Sequence, residues 1–209
     1  MNTTESSSII IHPLFANPVL EITERYKLNN EELNYIKTQK MTSNIHNYIS
    51  DNFNILNDEK MKNIKHFIEQ GIKYYIENIL CPANKDIEIY ITESWCNYTN
   101  KGESHHIHTH NNSILSGCLY VDVEDSDKIH FYKSNSYHGI YIPIDEKKFN
   151  YFNSDSWWLP VENGKLIIFH SSLQHSVEKI TTHHTRISIS FNTFVKGEVG
   201  TRSGLLHLK

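Results

Sequence analysis

At 209 residues the chain is long enough for one domain with a true apolar core, since about 70% of an unfolded chain's surface can be buried at that size. Its 20 lysines and arginines against 24 aspartates and glutamates leave a formal charge of −4, which excludes a global positive field for nucleic acid or an anionic membrane. Three cysteines without CxxC spacing (Cys81, Cys96, Cys118) exclude a disulfide framework, and neither an export signal nor a run near the ~18 apolar residues of a membrane span is present, so the expected compartment is the reducing cytoplasm.

In chain order, a polar tip leads into Ile9 to Ile22, apolar and β-branched but interrupted by Pro13 and Pro18. Residues 1–29 therefore read as an extended strap or edge strand. Residues 30–81 read as a helical preface. The period is clearest where Met61, Ile64, Phe67, Ile68, Ile72, Tyr75, Ile76 and Ile79 recur at three- and four-residue steps, a core-facing stripe that Pro82 ends. Lys60 to Lys65 form its solvated side.

From Asp86 the period falls to two. Ile87, Ile89 and Ile91 alternate with polar or aromatic neighbours, and Leu115 to Val123, Lys165 to Phe169 and Arg186 to Val195 form further strands. Asn163-Gly164, set between Trp157-Trp158-Leu159-Pro160-Val161 and Leu166-Ile167-Ile168-Phe169, predicts a hairpin. Short strands after a helical preface, without βαβ alternation, predict a mainly β, single-domain fold. Its β core spans 86–196 as a double-sheet jelly roll or cupin-like barrel, with N-terminal helices packed on one face and a tail at 197–209.

The chemistry gathers at His108-Thr109-His110, the isolated His175 and Arg186. Histidines two apart on an extended segment project to one side, so both can reach one metal ion while a third ligand arrives from a distant strand. In the last strand Arg186, Ser188, Ser190 and Asn192 share one face, and Ile187, Ile189 and Phe191 the other. Ser116, Cys118, Tyr120 and Asp122 repeat that polar parity upstream. Solvent or a polar barrel interior satisfies both patterns. The metal register is open as well, because His106 shares the parity of His108 and His110. His105 is expected to point away, His170, His183 and His184 to lie on loops or the rim, and Trp157-Trp158 either to roof a pocket or to pack in the core.

Three runs of residues carry a family resemblance: His108-x-His110-x-x-Ser113-x-Leu115-Ser116-Gly117-x-x-Tyr120; Gly164-x-Leu166-x-x-Phe169-x-Ser171-x-x-x-His175-x-Val177; and Arg186-x-Ser188-x-Ser190-Phe191-Asn192. With Trp95-x-Asn97 and Pro13-Leu14-Phe15-x-x-Pro18, they resemble the 2-oxoglutarate-Fe(II) oxygenases common in phages and marine bacteria. The resemblance implies a double-stranded β-helix, Fe(II), 2-oxoglutarate and O2, with His108 and His175 as ligands and Arg186 as anchor for the far carboxylate of 2-oxoglutarate. Of the two registers, it favours His108 with His110. Tyr120 or Ser188 would complete the anchor with a hydroxyl, and Asn97 or Tyr98 would touch the same cosubstrate.

One position departs from the usual pattern. A facial triad reads His-x-Asp/Glu followed by His, and here His110 stands where the carboxylate belongs. That keeps three further readings open: a three-histidine dioxygenase without 2-oxoglutarate, a zinc hydrolase, and a barrel that binds a ligand without chemistry. The substrate, whether small molecule, protein side chain or modified base, is not encoded in these motifs.

Overall fold

The computed structural model describes residues 10–133 and 143–209; residues 1–9, the first part of the expected strap, lie outside them. Its larger sheet is antiparallel in the order β1 (Val19–Ile22), β9 (Leu166–His170), β6 (Leu115–Asp122), β11 (Arg186–Val199), β4 (Glu88–Thr99), β3 (Tyr48–Ser50) and β2 (Met41–Ser43). A short β12 (Leu206–Leu208) pairs with the far end of β11. The smaller sheet runs β5 (His105–His108), β10 (Gln174–Val177), β7 (Lys128–Tyr132) and β8 (Ser156–Pro160). Most spatial neighbours are distant in sequence, because the chain passes repeatedly from one sheet to the other. That is the connectivity of the double-stranded β-helix.

Period two divides the larger sheet's residues between two apolar layers. On its outer face Leu119, Leu166, Ile168, Ile189 and Phe191 join Ile64, Ile68, Ile72 and Tyr75 of helix α2 (Lys62–Tyr75) in one cluster. Each such side chain contributes about 1.5–3 kcal/mol on leaving water. The approach is close at Gly71, where a Cβ would lie 2.9 Å from Ile168 and 3.0 Å from Ile22. Between the sheets a second cluster joins Tyr120, Ile167 and Phe169 to Ile129, Phe131 and Leu173.

Four expectations are corrected. The helical preface is not continuous. Helix α1 (Asn30–Lys37), held by a capping box between Asn29 and Glu32, gives way to the β2–β3 hairpin and two 3-10 turns before α2 begins. The hairpin is closed by Asn44 N–H donating to Asn47 O at 2.8 Å, with His46 at a left-handed φ of 69°, a conformation no helix admits. Asn163-Gly164 is a turn but not a hairpin: β8 pairs with β7, whereas β9 lies between β1 and β6, so the turn carries the chain from the smaller sheet to the larger. Gly164 has φ +79°, and a Cβ there would come within 2.2 Å of Tyr26 O. The segment 197–209 is no loose tail, since β11 continues to Val199 and β12 folds back on it. Finally, among the described residues Trp157 and Trp158 do not line the cavity between the sheets and enter neither core cluster. Trp157 carries Phe149 and Tyr151, and Trp158 is 45% exposed beneath the Lys128 ammonium. No helix among the described residues is long and apolar enough to cross a membrane.

Candidate active site

The inward parity of β11 delivers Arg186, Ser188 and Ser190 to a cavity between the sheets, facing the histidines of β5 and β10. In the smaller sheet His175 pairs with His108, and Val177 with His105. Three steps along β5 therefore answer two along β10, which is a β-bulge. The extra residue inverts the parity of the strand's beginning. His105, expected to point away, stacks on His108 at 4.4 Å between ring centroids and lines the cavity, while His106 is exposed. This is the physical reason that His108 with His110, and not His106 with His108, faces inward.

His108, His110 and His175 bring one ligand nitrogen each to within 4.8 Å of one another. Nε2 of His110 lies 3.3 Å from Nε2 of His175, close to the ~3 Å expected for two nitrogens at right angles on one ion. His108 Nδ1 faces the His106 carbonyl at 2.8 Å and His175 Nδ1 the Leu173 carbonyl at 2.9 Å. Those acceptors hold the ring protons on Nδ1 and leave both Nε2 lone pairs free. Burial keeps the rings neutral. It lowers the pKa of His108, takes His110 down to about 4 and His105 to about 3, and pushes His175 well below the usual range, with neighbouring imidazoles adding to the effect in each.

Some way along β11 from these rings, Arg186 is 3% exposed with its guanidinium 5.3 Å from the centre of the Tyr120 ring. Its Nε has no hydrogen-bond partner, and neither does the hydroxyl of fully buried Tyr120. A buried N–H left without an acceptor is costly, so this corner has hydrogen-bonding capacity, and positive charge, to offer an anion. Ser188 sits across β6 and β4 from Tyr120 and Asn97. Asn97 Nδ2 donates to Ser190 Oγ at 2.8 Å, and its Oδ1 accepts from Trp95 Nε1 at 3.2 Å.

Tyr98 is a correction. It occupies the opposite parity, lies in the helix-covered core and donates its hydroxyl to Ile36 O at 2.5 Å, out of reach of any cosubstrate in the cavity. His170 is exposed against Ser172, His183 is exposed beside Lys101, and His184 approaches Asp122 and Glu124 at the rim. Sequence reasoning left three neighbours of the rings unassigned. Trp95 packs 5.9 Å from His110, Phe169 packs 4.7 Å from His175, and Glu93 reaches toward His110 through Asn192. Trp95 and Glu93 share the parity of Asn97, which is the signal that would have found them.

Comparison with known proteins agrees with the fold. No functionally curated protein matches the chain by sequence. Among solved structures, HygX from Streptomyces hygroscopicus, crystallised with nickel and 2-oxoglutarate, is similar with a TM-score of 0.59 at 8% identity, covering 85% of this chain and 82% of its own. A prolyl-4-hydroxylase from Pseudomonas putida gives a TM-score of 0.52 at 11% identity, covering 86% and 94%. A 2OG-Fe(II) oxygenase family oxidoreductase from Burkholderia pseudomallei gives 0.54 at 9%, covering 84% and 83%. At such identities the likeness is one of fold, the double-stranded β-helix. The family model described as "Putative 2OG-Fe(II) oxygenase" matches residues 93–192. That stretch, which holds every histidine of the cluster and the buried arginine, is where the chain is similar to the 2OG-Fe(II) oxygenase family.

Proposed function

We propose that the chain is an Fe(II)- and 2-oxoglutarate-dependent dioxygenase of the hydroxylase type, with His108, His110 and His175 holding the iron through Nε2 and Arg186 binding the distal carboxylate of 2-oxoglutarate. The observation that carries this reading is the buried guanidinium of Arg186, its Nε without a hydrogen-bond partner, lining the same cavity as the three imidazoles from the opposite sheet. The donor set fits the group. Neutral imidazoles suit Fe(II), and three of them leave the ion its full double positive charge, which the 2-oxoglutarate dianion neutralises. When bound, iron supplies the coupling of O2 to both reactants: 2-oxoglutarate becomes succinate and CO2 while a substrate C–H becomes C–OH.

The chain's own residues do the rest. Arg186 offers two parallel N–H donors to the carboxylate, and Tyr120 O–H a third, with Ser188 and Asn97 on the adjoining wall. Burial excludes water, which strengthens each of these contacts. A three-histidine dioxygenase or a metal hydrolase would leave the buried arginine without a partner. The substrate is a small molecule or a protein side chain, since the net charge of −4 supplies no general attraction for nucleic acid. Free Cys81, Cys96 and Cys118 favour the cytoplasm of a microbe or a phage-infected cell, with the chain acting as one domain.

The test is anaerobic addition of Fe(II) and then 2-oxoglutarate. Expected are one iron per chain, a weak visible charge-transfer band when the 2-oxo acid chelates the metal, and slow succinate formation once air is admitted. Iron binding with no band, no succinate and no affinity for 2-oxoglutarate would sink the cosubstrate assignment.

A further inference from the structure

The carboxylate missing from the usual triad reappears one side chain further out. Glu93 Oε1 accepts a 2.6 Å hydrogen bond from Nδ2 of Asn192, and the same Nδ2 lies 3.4 Å from Nδ1 of His110. On the other side of the amide, Asn192 Oδ1 accepts from Ser116 Oγ at 2.7 Å. Ser116 Oγ is 2.8 Å from Ser171 Oγ, which is 2.7 Å from Ser113 Oγ.

Ser171 Oγ donates to Ser113 Oγ, and Ser113 Oγ to Leu115 O at 3.1 Å, whereas in the Ser116–Ser171 pair either hydroxyl can donate, so the one proton of Ser116 has two possible acceptors. When Ser116 Oγ donates to Asn192 Oδ1, the amide N–H groups face Glu93 and His110. Nδ1 of His110 is then an acceptor, and the ring proton sits on Nε2. That proton points at His175 Nε2, 3.3 Å away, which is free to accept because the proton of His175 is held on Nδ1 by Leu173 O. When Ser116 Oγ donates instead to Ser171 Oγ, an unbroken run of hydroxyls leads through Ser113 to Leu115 O. Ser116 then accepts from Asn192 Nδ2, the amide is turned over, and its oxygen accepts a proton from His110 Nδ1. Only this second arrangement leaves His110 Nε2 bare for a metal. It also sets Asn192 Oδ1 against the Glu93 carboxylate, which is partly exposed.

We propose that Asn192 is a positioning residue that decides which nitrogen of His110 carries the proton. Glu93 holds the amide in the orientation that withholds His110, and metal loading turns the amide over as the carboxylate departs. The inference rests on the reading of His110 as a ligand, and it explains how a triad without a ligating carboxylate still answers to one.

The test reads ring tautomers directly, from long-range proton–nitrogen spectra of the full chain labelled with 15N-histidine, before and after Zn(II), an oxygen-inert probe. Before zinc, His110 is expected to be protonated on Nε2 while His108 and His175 are protonated on Nδ1. Zinc should move the His110 proton to Nδ1. Asn192→Asp, which can only accept, should place that proton on Nδ1 without zinc and bind zinc at least as tightly as the wild type. Asn192→Leu should weaken zinc binding roughly 10- to 100-fold. Glu93→Gln, isosteric, partly exposed and able to donate as well as accept, should tighten zinc binding, and it keeps the test open should an Asn192 variant misfold. A merely structural asparagine would weaken zinc binding in both of its variants and leave the tautomer unmoved. His110 protonated on Nδ1 in the zinc-free wild type overturns the switch alone. Zinc that binds without moving the His110 resonances overturns the ligand reading and the switch together.

Discussion

The two faces of β11 are equally buried and do opposite work. Outward, Ile187, Ile189 and Phe191 are at most 6% exposed and pack under the helices; inward, Arg186, Ser188 and Asn192 are also at most 6% exposed. On the outer side even the polar atom of Tyr98 has its partner. On the inner side Arg186 Nε and Tyr120 O–H have none. Depth alone therefore does not separate core from site. What separates them is whether hydrogen-bonding capacity is used up within the fold or left for something else.

That contrast makes the two faces separable by mutation. His175→Ala should have the largest effect, abolishing Fe(II) binding while the fold survives; metal content after desalting under argon checks it, and a full equivalent of retained iron would break the assignment of the inner face. Phe191→Ala, next in sequence to inward-facing Asn192 yet itself facing the helices, should cost about 3–5 kcal/mol of stability in denaturant titration. Iron affinity of the folded fraction should not change. Arg186→Ala should weaken 2-oxoglutarate at least tenfold by isothermal titration, for a charge-assisted contact of about 1.5–3 kcal/mol, with iron affinity kept and Arg186→Lys recovering only part. Alongside it, Tyr120→Phe should lower cosubstrate affinity a few-fold while leaving stability unchanged or slightly raised, since it deletes a hydroxyl that has no partner.

A further expected effect is a dependence of stability on pH. The folded rings of His105 and His110 titrate near 3 and 4, whereas unfolded histidine titrates near 6.5, so between those values the unfolded chain binds more protons. Stability of the metal-free protein should be full above about pH 6.5 and fall as the pH drops toward the folded values. Denaturant midpoints that do not move between about pH 7 and pH 5 would mean that these rings are solvated after all.

Much of this was legible because period two survives in the strands that matter. Arg186, Ser188 and Asn192 could be assigned to one face of β11 from spacing alone. Where periodicity was interrupted, reading failed. The bulge in β5 inserts one residue and turns His105 inward, and no local residue type announces it. Tyr98 and Asn97 were both offered to the cosubstrate because the strand's phase was not fixed until its pairing with β11 was known. Asn163-Gly164 declared a turn correctly but not which strands it joins, since that depends on partners far along the chain. The β2–β3 hairpin hid within a stretch whose polar and apolar residues also suit a helix.

The strap has a consequence beyond its place in the fold. Strand β1 pairs Val19 with Phe169 through to Ile22 with Leu166, covering one side of β9, whose sequence Leu-Ile-Ile-Phe-His carries no carboxylate, lysine or arginine. Salt links from Lys165 to Glu21 and from Arg25 to Glu162 fasten that cover. Bare, such a strand would present a row of free N–H and C=O groups beside a dry apolar surface, a template for joining another molecule's sheet edge to edge. The covering strand is itself a poorer template. It is only four residues long, and Pro13 and Pro18 just before it have no N–H to lend. The N-terminal element thus acts as a guard against self-association, protecting from aggregation the sheet on which the buried arginine is mounted.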